Sequence, residues 1–184
     1  KNIDERISTL VCATTSAGKS VLSGYTVTKG KILFVVPTDA LAWQISSFLG
    51  GILNADIPII TLTYQSNPKR DQFIQKLNSS KAIVGTADCI LDYLPLINCD
   101  FSWIIFDEIH MIGKSEGFAM ESIAKILHDV PFLALSATIG NVEELETWFK
   151  SLNNKPVKTI TCNKRFFNLQ KHYYDPITND FIML

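Results

Sequence analysis

At 184 residues the chain is long enough for one domain with a sizeable core. Its residues are 47% hydrophobic and 19% charged, which excludes a disordered or low-complexity polymer, and no run of ~18 apolar residues offers a membrane span. The net charge of −1 and the pI near 6.3 exclude a protein that grips nucleic acid through a broadly basic surface, so any such contact has to be local.

The chain opens at Lys1 with no charged-then-apolar leader, so no signal peptide is expected and the sequence reads as a piece of a longer polypeptide. Cys12, Cys89, Cys99 and Cys162 are scattered, without CxxC spacing or histidines at metal-ligand spacing, and predict neither a zinc site nor a disulfide framework. That usage fits a reduced intracellular setting, cytoplasmic, nuclear or virus-encoded, and not secretion.

Short β-branched runs alternate with amphipathic stretches, a pattern that predicts βαβ units around a mostly parallel sheet. The first strand is expected at Thr9 to Thr14 and the first helix at Lys19 to Thr28. Between them runs Ala13-Thr14-Thr15-Ser16-Ala17-Gly18-Lys19-Ser20, a phosphate-loop pattern with Ala at the first glycine position, in the strand-to-helix setting the motif requires. In such a loop the backbone N–H groups of Thr15, Ser16, Ala17 and Gly18 wrap a β-phosphate at a helix N-terminus. Lys19 reaches the β- and γ-phosphates, and the Ser20 hydroxyl ligates magnesium. ATP with Mg2+ is the ligand this predicts; the competing reading is a turn of small residues with a surface lysine.

Strands are next expected at Lys31 to Val36, Ile57 to Thr63 and Lys81 to Gly85, with helices at Asp39 to Leu49, Lys69 to Leu77 and Ala87 to Leu94. Lys69, Arg70 and Lys76 give the third helix a small basic face, most simply a solvated one. Ser102 to Asp107 is apolar almost throughout, as a central strand covered on both faces should be, and it runs into Asp107-Glu108-Ile109-His110. Two adjacent acids at the end of such a strand stand where an open α/β sheet puts its ligand crevice. Asp107 is expected to hold Mg2+ through its water shell and Glu108 to orient the water that attacks the γ-phosphate; the alternative is a pair of solvated loop acids. His110 is assigned coupling rather than chemistry.

A helix at Phe118 to His128, a strand at Phe132 to Ser136, a helix at Val142 to Lys150 and a strand at Val157 to Thr161 complete the alternation. Ser136-Ala137-Thr138 would emerge at the same crevice. Arg165 to Tyr174 alternates loosely, as a last strand or the start of a linker. Base stacking on Trp43, Trp103 and Trp148 is declined: Trp103 sits in a buried strand, and Trp148 ends a helix whose Val142, Leu145 and Phe149 trace an apolar stripe.

In order, ATTSAGKS, PTDAL, GTAD, IIFDEIH and LALSATIGN resemble the first RecA-like domain of superfamily 2 helicases, from about Leu10 to Trp148. Within these, the sequence is most similar to the superkiller-like DExH group, which includes exosome-associated RNA helicases and an interferon-inducible antiviral branch. The stretch from IIFDEIHMIG to PFLALSAT most resembles that branch. The resemblance implies a three-layer αβα RecA-like P-loop NTPase domain over residues 1–162, with 163–184 a terminal strand or a linker toward a second RecA-like domain. It implies an ATP-dependent RNA helicase; a DNA helicase or translocase of the same superfamily, and a non-motor nucleic-acid sensor or scaffold, remain as alternatives.

The resemblance also places the Ser-Ala-Thr strand between the phosphate-loop and DExH strands, so that Ser136 and Thr138 sit beside His110 and relay the nucleotide state. Pro37 and Thr38 with Gln44, and Gly85 with Thr86, resemble two motifs that contact a nucleic-acid strand, although plain N-capping by Thr38 and Thr86 uses the same groups. Asp39 departs from the pattern, since relatives carry lysine there. The family's adenine-reading segment falls upstream of the phosphate loop, where only Lys1 to Ser8 stand. Its second domain supplies arginines of a kind worth ~10³ to 10⁵ in rate. The isolated piece is therefore expected to be a monomer that binds nucleotide weakly, hydrolyses it slowly and does not unwind a duplex.

Overall fold

Ile32, Phe34 and Val36 feed one buried cluster while the intervening Leu33 and Val35 feed another, because successive strand residues point to opposite faces. That both sets are buried means the sheet is covered on both sides. The chain is described here by a computed structural model over residues 1–14, 18–62, 70–112, 117–137, 142–153, 155–162 and 172–183.

In chain order the elements are β1 (Ser8–Ala13), α1 (Lys19–Thr26), β2 (Ile32–Val36), α2 (Asp39–Leu53), β3 (Ile59–Ile60), α3 (Arg70–Ser79), β4 (Ala82–Thr86), α4 (Ala87–Tyr93), β5 (Trp103–Phe106), α5 (Phe118–Ile126), β6 (Phe132–Ser136), α6 (Val142–Asn153) and β7 (Val157–Cys162). Among the described residues the strands form a seven-stranded sheet in the order β3-β4-β2-β5-β6-β1-β7, with parallel pairings throughout. A separate antiparallel hairpin, β8 (His172–Asp175) with β9 (Asp180–Met183), follows.

On one face Ala42, Ile45 and Leu49 of α2 pack over Phe34, Trp103 and Leu133, and α1 lies against α2. On the other face Phe73 of α3, Ile90 of α4, Ile123 of α5 and Phe149 of α6 pack over Leu33, Ile104 and Phe106. Phe149 stacks on Phe132 at 4.0 Å between centroids. The result is the three-layer αβα arrangement expected from the resemblance.

Several boundaries differ from the periodicity. Helix α2 continues beyond the Gly50-Gly51 pair to Leu53 and stops at Asn54, whose left-handed φ of 49° closes it. β3 is reduced to two residues behind Pro58. Trp103 is fully buried and Trp148 packs against the core, but Trp43 on α2 is 51% exposed.

Candidate nucleotide site at the carboxyl edge of the sheet

Parallel strands bring all their carboxyl ends to one edge. Cys12 is level with Ser136, Phe106 with Ala134, Val35 with Phe106 and Val36 with Thr86. Residues from five loops therefore converge on that edge although they are spread over about a hundred positions of sequence. β6 runs between β1 and β5, the order the resemblance implied.

At the end of β1, Gly18 precedes α1 with a φ of 79°, a conformation open to glycine and strained for other residues. A Cβ there would meet nothing within 4 Å, so backbone conformation and not space calls for glycine. Lys19 opens α1, and its Nζ donates to the carbonyl oxygen of Ala13 at 2.9 Å. Ser20 is exposed in the same turn. Thr15, Ser16 and Ala17 lie outside the described residues, as does Thr138.

Asp107 follows β5, its N–H donating to the carbonyl oxygen of Val35 at 2.9 Å, and its carboxylate accepts from the Glu108 N–H at 3.0 Å. Burial, then the neighbouring Glu108 charge, push the Asp107 carboxyl above its ordinary range, while Lys19 and His110 pull the other way. Lys19 thus acts electrostatically on Asp107 across the width of β6. Glu108 takes a left-handed conformation (φ 51°, ψ 46°) before a short 3-10 turn, Ile109–Met111. Nδ1 of His110 lies 3.3 Å from Oγ of Ser136, which is fully buried on β6.

Ser20 and Asp107 offer hard oxygen donors of the kind Mg2+ takes, and Mg2+ commonly needs only one or two protein ligands when phosphates and waters supply the rest. Asp107 is half-buried and its carboxyl is held above the ordinary range despite Lys19, the state of an anion short of positive charge, which fits a cation there.

Farther along the edge, Thr38 caps α2: its Oγ1 accepts from the Leu41 N–H at 3.4 Å. Thr38 and Gln44 are exposed and Pro37 is half-buried. Thr86 precedes α4 without a side-chain cap bond to it; burial pushes the nearby Cys89 thiol up, and Thr86 pulls it the other way. Gly85 is buried within β4 and flanked by β2 and β3. A Cβ on it would lie 2.5 Å from the Ile60 carbonyl oxygen, so the structure gives this glycine a packing reason.

Two features were not anticipated from sequence. Nδ1 of His110 also lies 3.2 Å from Oε2 of Glu108. Beside the phosphate loop, Gly18, Lys19, Val21, Leu22, Tyr25 and Cys162 line an open hollow; the exposed apolar side chains of α1 were the available signal. Among the described residues no helix is long and apolar enough to cross a membrane.

Comparison with known proteins gives a consistent result. A profile of DEAD/DEAH box helicases matches residues 1–145. The chain is 30% identical over 190 residues to an uncharacterized helicase of Dictyostelium discoideum, covering 93% of this chain and 10% of that protein. It is 28% identical over 195 residues to the human exosome RNA helicase MTR4, covering 97% and 17%. With the ATP-dependent DNA helicase Hel308 of Thermoplasma acidophilum the identity is 30% over 151 residues, covering 76% and 22%. The chain spans about a tenth to a fifth of the length of these relatives. The crystal structure of the Pyrococcus furiosus Hef helicase domain shares the fold, with a TM-score of 0.65 and 22% identity over 85% of this chain and 35% of that one. Sheet order, edge residues and profile agree, and the chain belongs to the DEAD/DEAH box helicase family.

Proposed function

We propose that the chain is the ATP-binding first motor domain of an ATP-dependent DExH-box RNA helicase, whose hydrolysis drives translocation or unwinding in the full-length protein. The observation that carries this reading is the flanking of β6 by Lys19 and Asp107 at the carboxyl edge of the sheet, where the lysine charge pulls against, without cancelling, the burial that raises the carboxyl. Such a pair can embrace one triphosphate.

In this reading the loop Thr15 to Gly18 cradles the phosphates and Lys19 meets the β- and γ-phosphate oxygens. Ser20 and Asp107 would hold Mg2+, which when bound neutralises charge on those oxygens. Glu108 orients and polarises the attacking water. His110, Ser136 and Thr138 relay the nucleotide state to the bound strand. Thr38 and Thr86, with Pro37 and Gln44 beside them, contact the sugar-phosphate backbone, and Gly85 lets β3 approach closely enough to hold Thr86 at the edge. Residues 163–184, including the hairpin, lead toward a second RecA-like domain that completes the site.

RNA is favoured over DNA by the likeness to an exosome RNA helicase across nearly the whole chain, whereas the likeness to Hel308 covers three quarters of it. Full-length protein should hydrolyse ATP faster with single-stranded RNA than with DNA of the same sequence. Equal or greater stimulation by DNA would move the reading to a DNA translocase. Retention of biological activity by a Glu108→Gln variant that no longer hydrolyses ATP would indicate a scaffold.

A further inference from the structure

Of the three tryptophans, Trp103 is fully buried and Trp148 packs against the core, while Trp43 is 51% exposed. Helix α2 turns Ala42, Ile45, Ser46 and Leu49 inward, so filling the core does not account for an indole at position 43. Single exposed apolar side chains are ordinary on a protein surface; what distinguishes this one is where it stands. Thr38 caps α2 at the carboxyl edge of the sheet, and Trp43 follows one turn after Asp39 and Ala40. Helical side chains lean toward the helix N-terminus, so the indole leans over the first turn of α2, next to the hydroxyl proposed to meet the strand. Gln44 is exposed beside it.

Asp39 narrows the choice of ligand. Its carboxylate in that first turn opposes a phosphate, and a net charge of −1 supplies no broad basic field to outweigh it. The flat face of a nucleobase carries no net charge and stacks on an aromatic ring whatever the base. We infer that Trp43 is a nucleic-acid-binding residue on which one base of a single-stranded RNA stacks, while the backbone of that strand passes Thr38. The inference rests on the strand contact proposed at Thr38. A paired base shows its faces only to its neighbours in the stack, so the indole selects single strands over duplex. Stacking also adds affinity that does not depend on counterion release, the term that is weak in a chain without a basic surface.

The test is binding of the full-length protein to oligoadenylate and to a strand of equal length with the same phosphates but abasic sugars, read by fluorescence anisotropy. Trp43→Ala is expected to weaken oligoadenylate binding about 5- to 150-fold, the range of one base on one aromatic ring, and by the same factor at low and high salt. Its affinity for the abasic strand and its thermal unfolding should stay near wild type. Trp43→Phe keeps a ring and should recover most of the loss. Thr38→Asp, which disturbs the backbone contact, should weaken both strands. If Thr38→Asp binds both strands as tightly as wild type, the strand path falls and this inference with it. If Thr38→Asp weakens both and Trp43→Ala binds oligoadenylate normally, stacking alone is overturned. A Phe variant no better than the Ala variant, an equal loss on the two strands, or a loss that shrinks as salt rises would each overturn it too, because none of these is the behaviour of a base on a ring.

Discussion

Lys19 Nζ donates to the Ala13 carbonyl oxygen at 2.9 Å, so the first residue of α1 is tied to the last residue of β1. An ammonium has three donors, which leaves two for phosphate oxygens. Replacing Lys19 with Ala removes hydrogen bonds of the charged kind, ~1.5–3 kcal/mol, and is expected to weaken ATP binding about 10- to 150-fold in calorimetric titration. Arg in its place keeps the charge but presents a rigid planar fork, and it should recover little of the affinity.

Asp107 gives a pH prediction of definite sign. Burial raises its folded pKa above the ordinary value of 3.8, so the folded protein holds that proton more tightly than the unfolded chain. Its cost to stability is fully present above the raised pKa and is relieved as pH falls through it toward the unfolded value. Asp100, Asp129 and Glu146 are shifted down by lysine partners; their contribution has the opposite sign and fades as pH falls toward and below their lowered values. The two trends separate in a difference experiment. Asp107→Asn should be more stable than wild type at neutral pH, with the advantage shrinking on acidification, and it should lose the stabilisation that Mg2+ with ATP confers on wild type. Denaturant midpoints across pH provide the measurement.

Gly85 tests packing apart from binding. An added Cβ would press on the Ile60 carbonyl oxygen at 2.5 Å, and backbone yields little inside a sheet. Gly85→Ala should cost ~1–3 kcal/mol of stability, the usual range for overpacking, while ATP affinity of the folded fraction stays near wild type. Urea unfolding together with nucleotide titration would read both quantities.

The order of elements was legible because each buried parallel strand is a short apolar run and each helix keeps one apolar face; Phe132–Ser136 matches the periodicity residue for residue. Helix α2 outran its apparent end because the glycine pair costs less than the packing of Leu53 on the core and the closing turn at Asn54 return. Ala42, Ile45, Ser46 and Leu49 face inward on that helix, which leaves Trp43 off the packed stripe, a register that composition does not reveal. Of the last strand or linker expected over Arg165 to Tyr174, residues 163–171 lie outside the described residues and β8 takes up the end; its pairing with β9 was not legible because Tyr173, Tyr174, Phe181 and Ile182 are exposed on both strands, so no inward-outward alternation marks it. At the site, motif order pointed to Lys19, Asp107, His110 and Ser136, and the fold sets all four at one edge of the sheet. The neighbourhood of His110 and Ser136 came through family resemblance alone, since strand order is not written in periodicity, and the Glu108–His110 contact depends on a left-handed turn that no local pattern signals.

Thr38 carries two roles that one substitution can separate. Its Oγ1 accepts from the Leu41 N–H at the start of α2, and the proposed strand contact uses the same exposed hydroxyl. Ala removes both, costing about 0.5–2 kcal/mol for the lost cap, so a fall in RNA binding by that variant proves little. Asp is an equally good cap and suits the positive end of the helix, but it sets a carboxylate where a phosphate would lie, beside Asp39. Thr38→Asp should therefore match wild type in thermal unfolding while its RNA affinity drops at least about tenfold, because like charges brought together cost on the order of a few kcal/mol. The loss should be greatest at low salt, where screening is weakest. If the aspartate variant binds RNA as tightly as wild type, the hydroxyl is a helix cap and the nucleic-acid strand passes elsewhere.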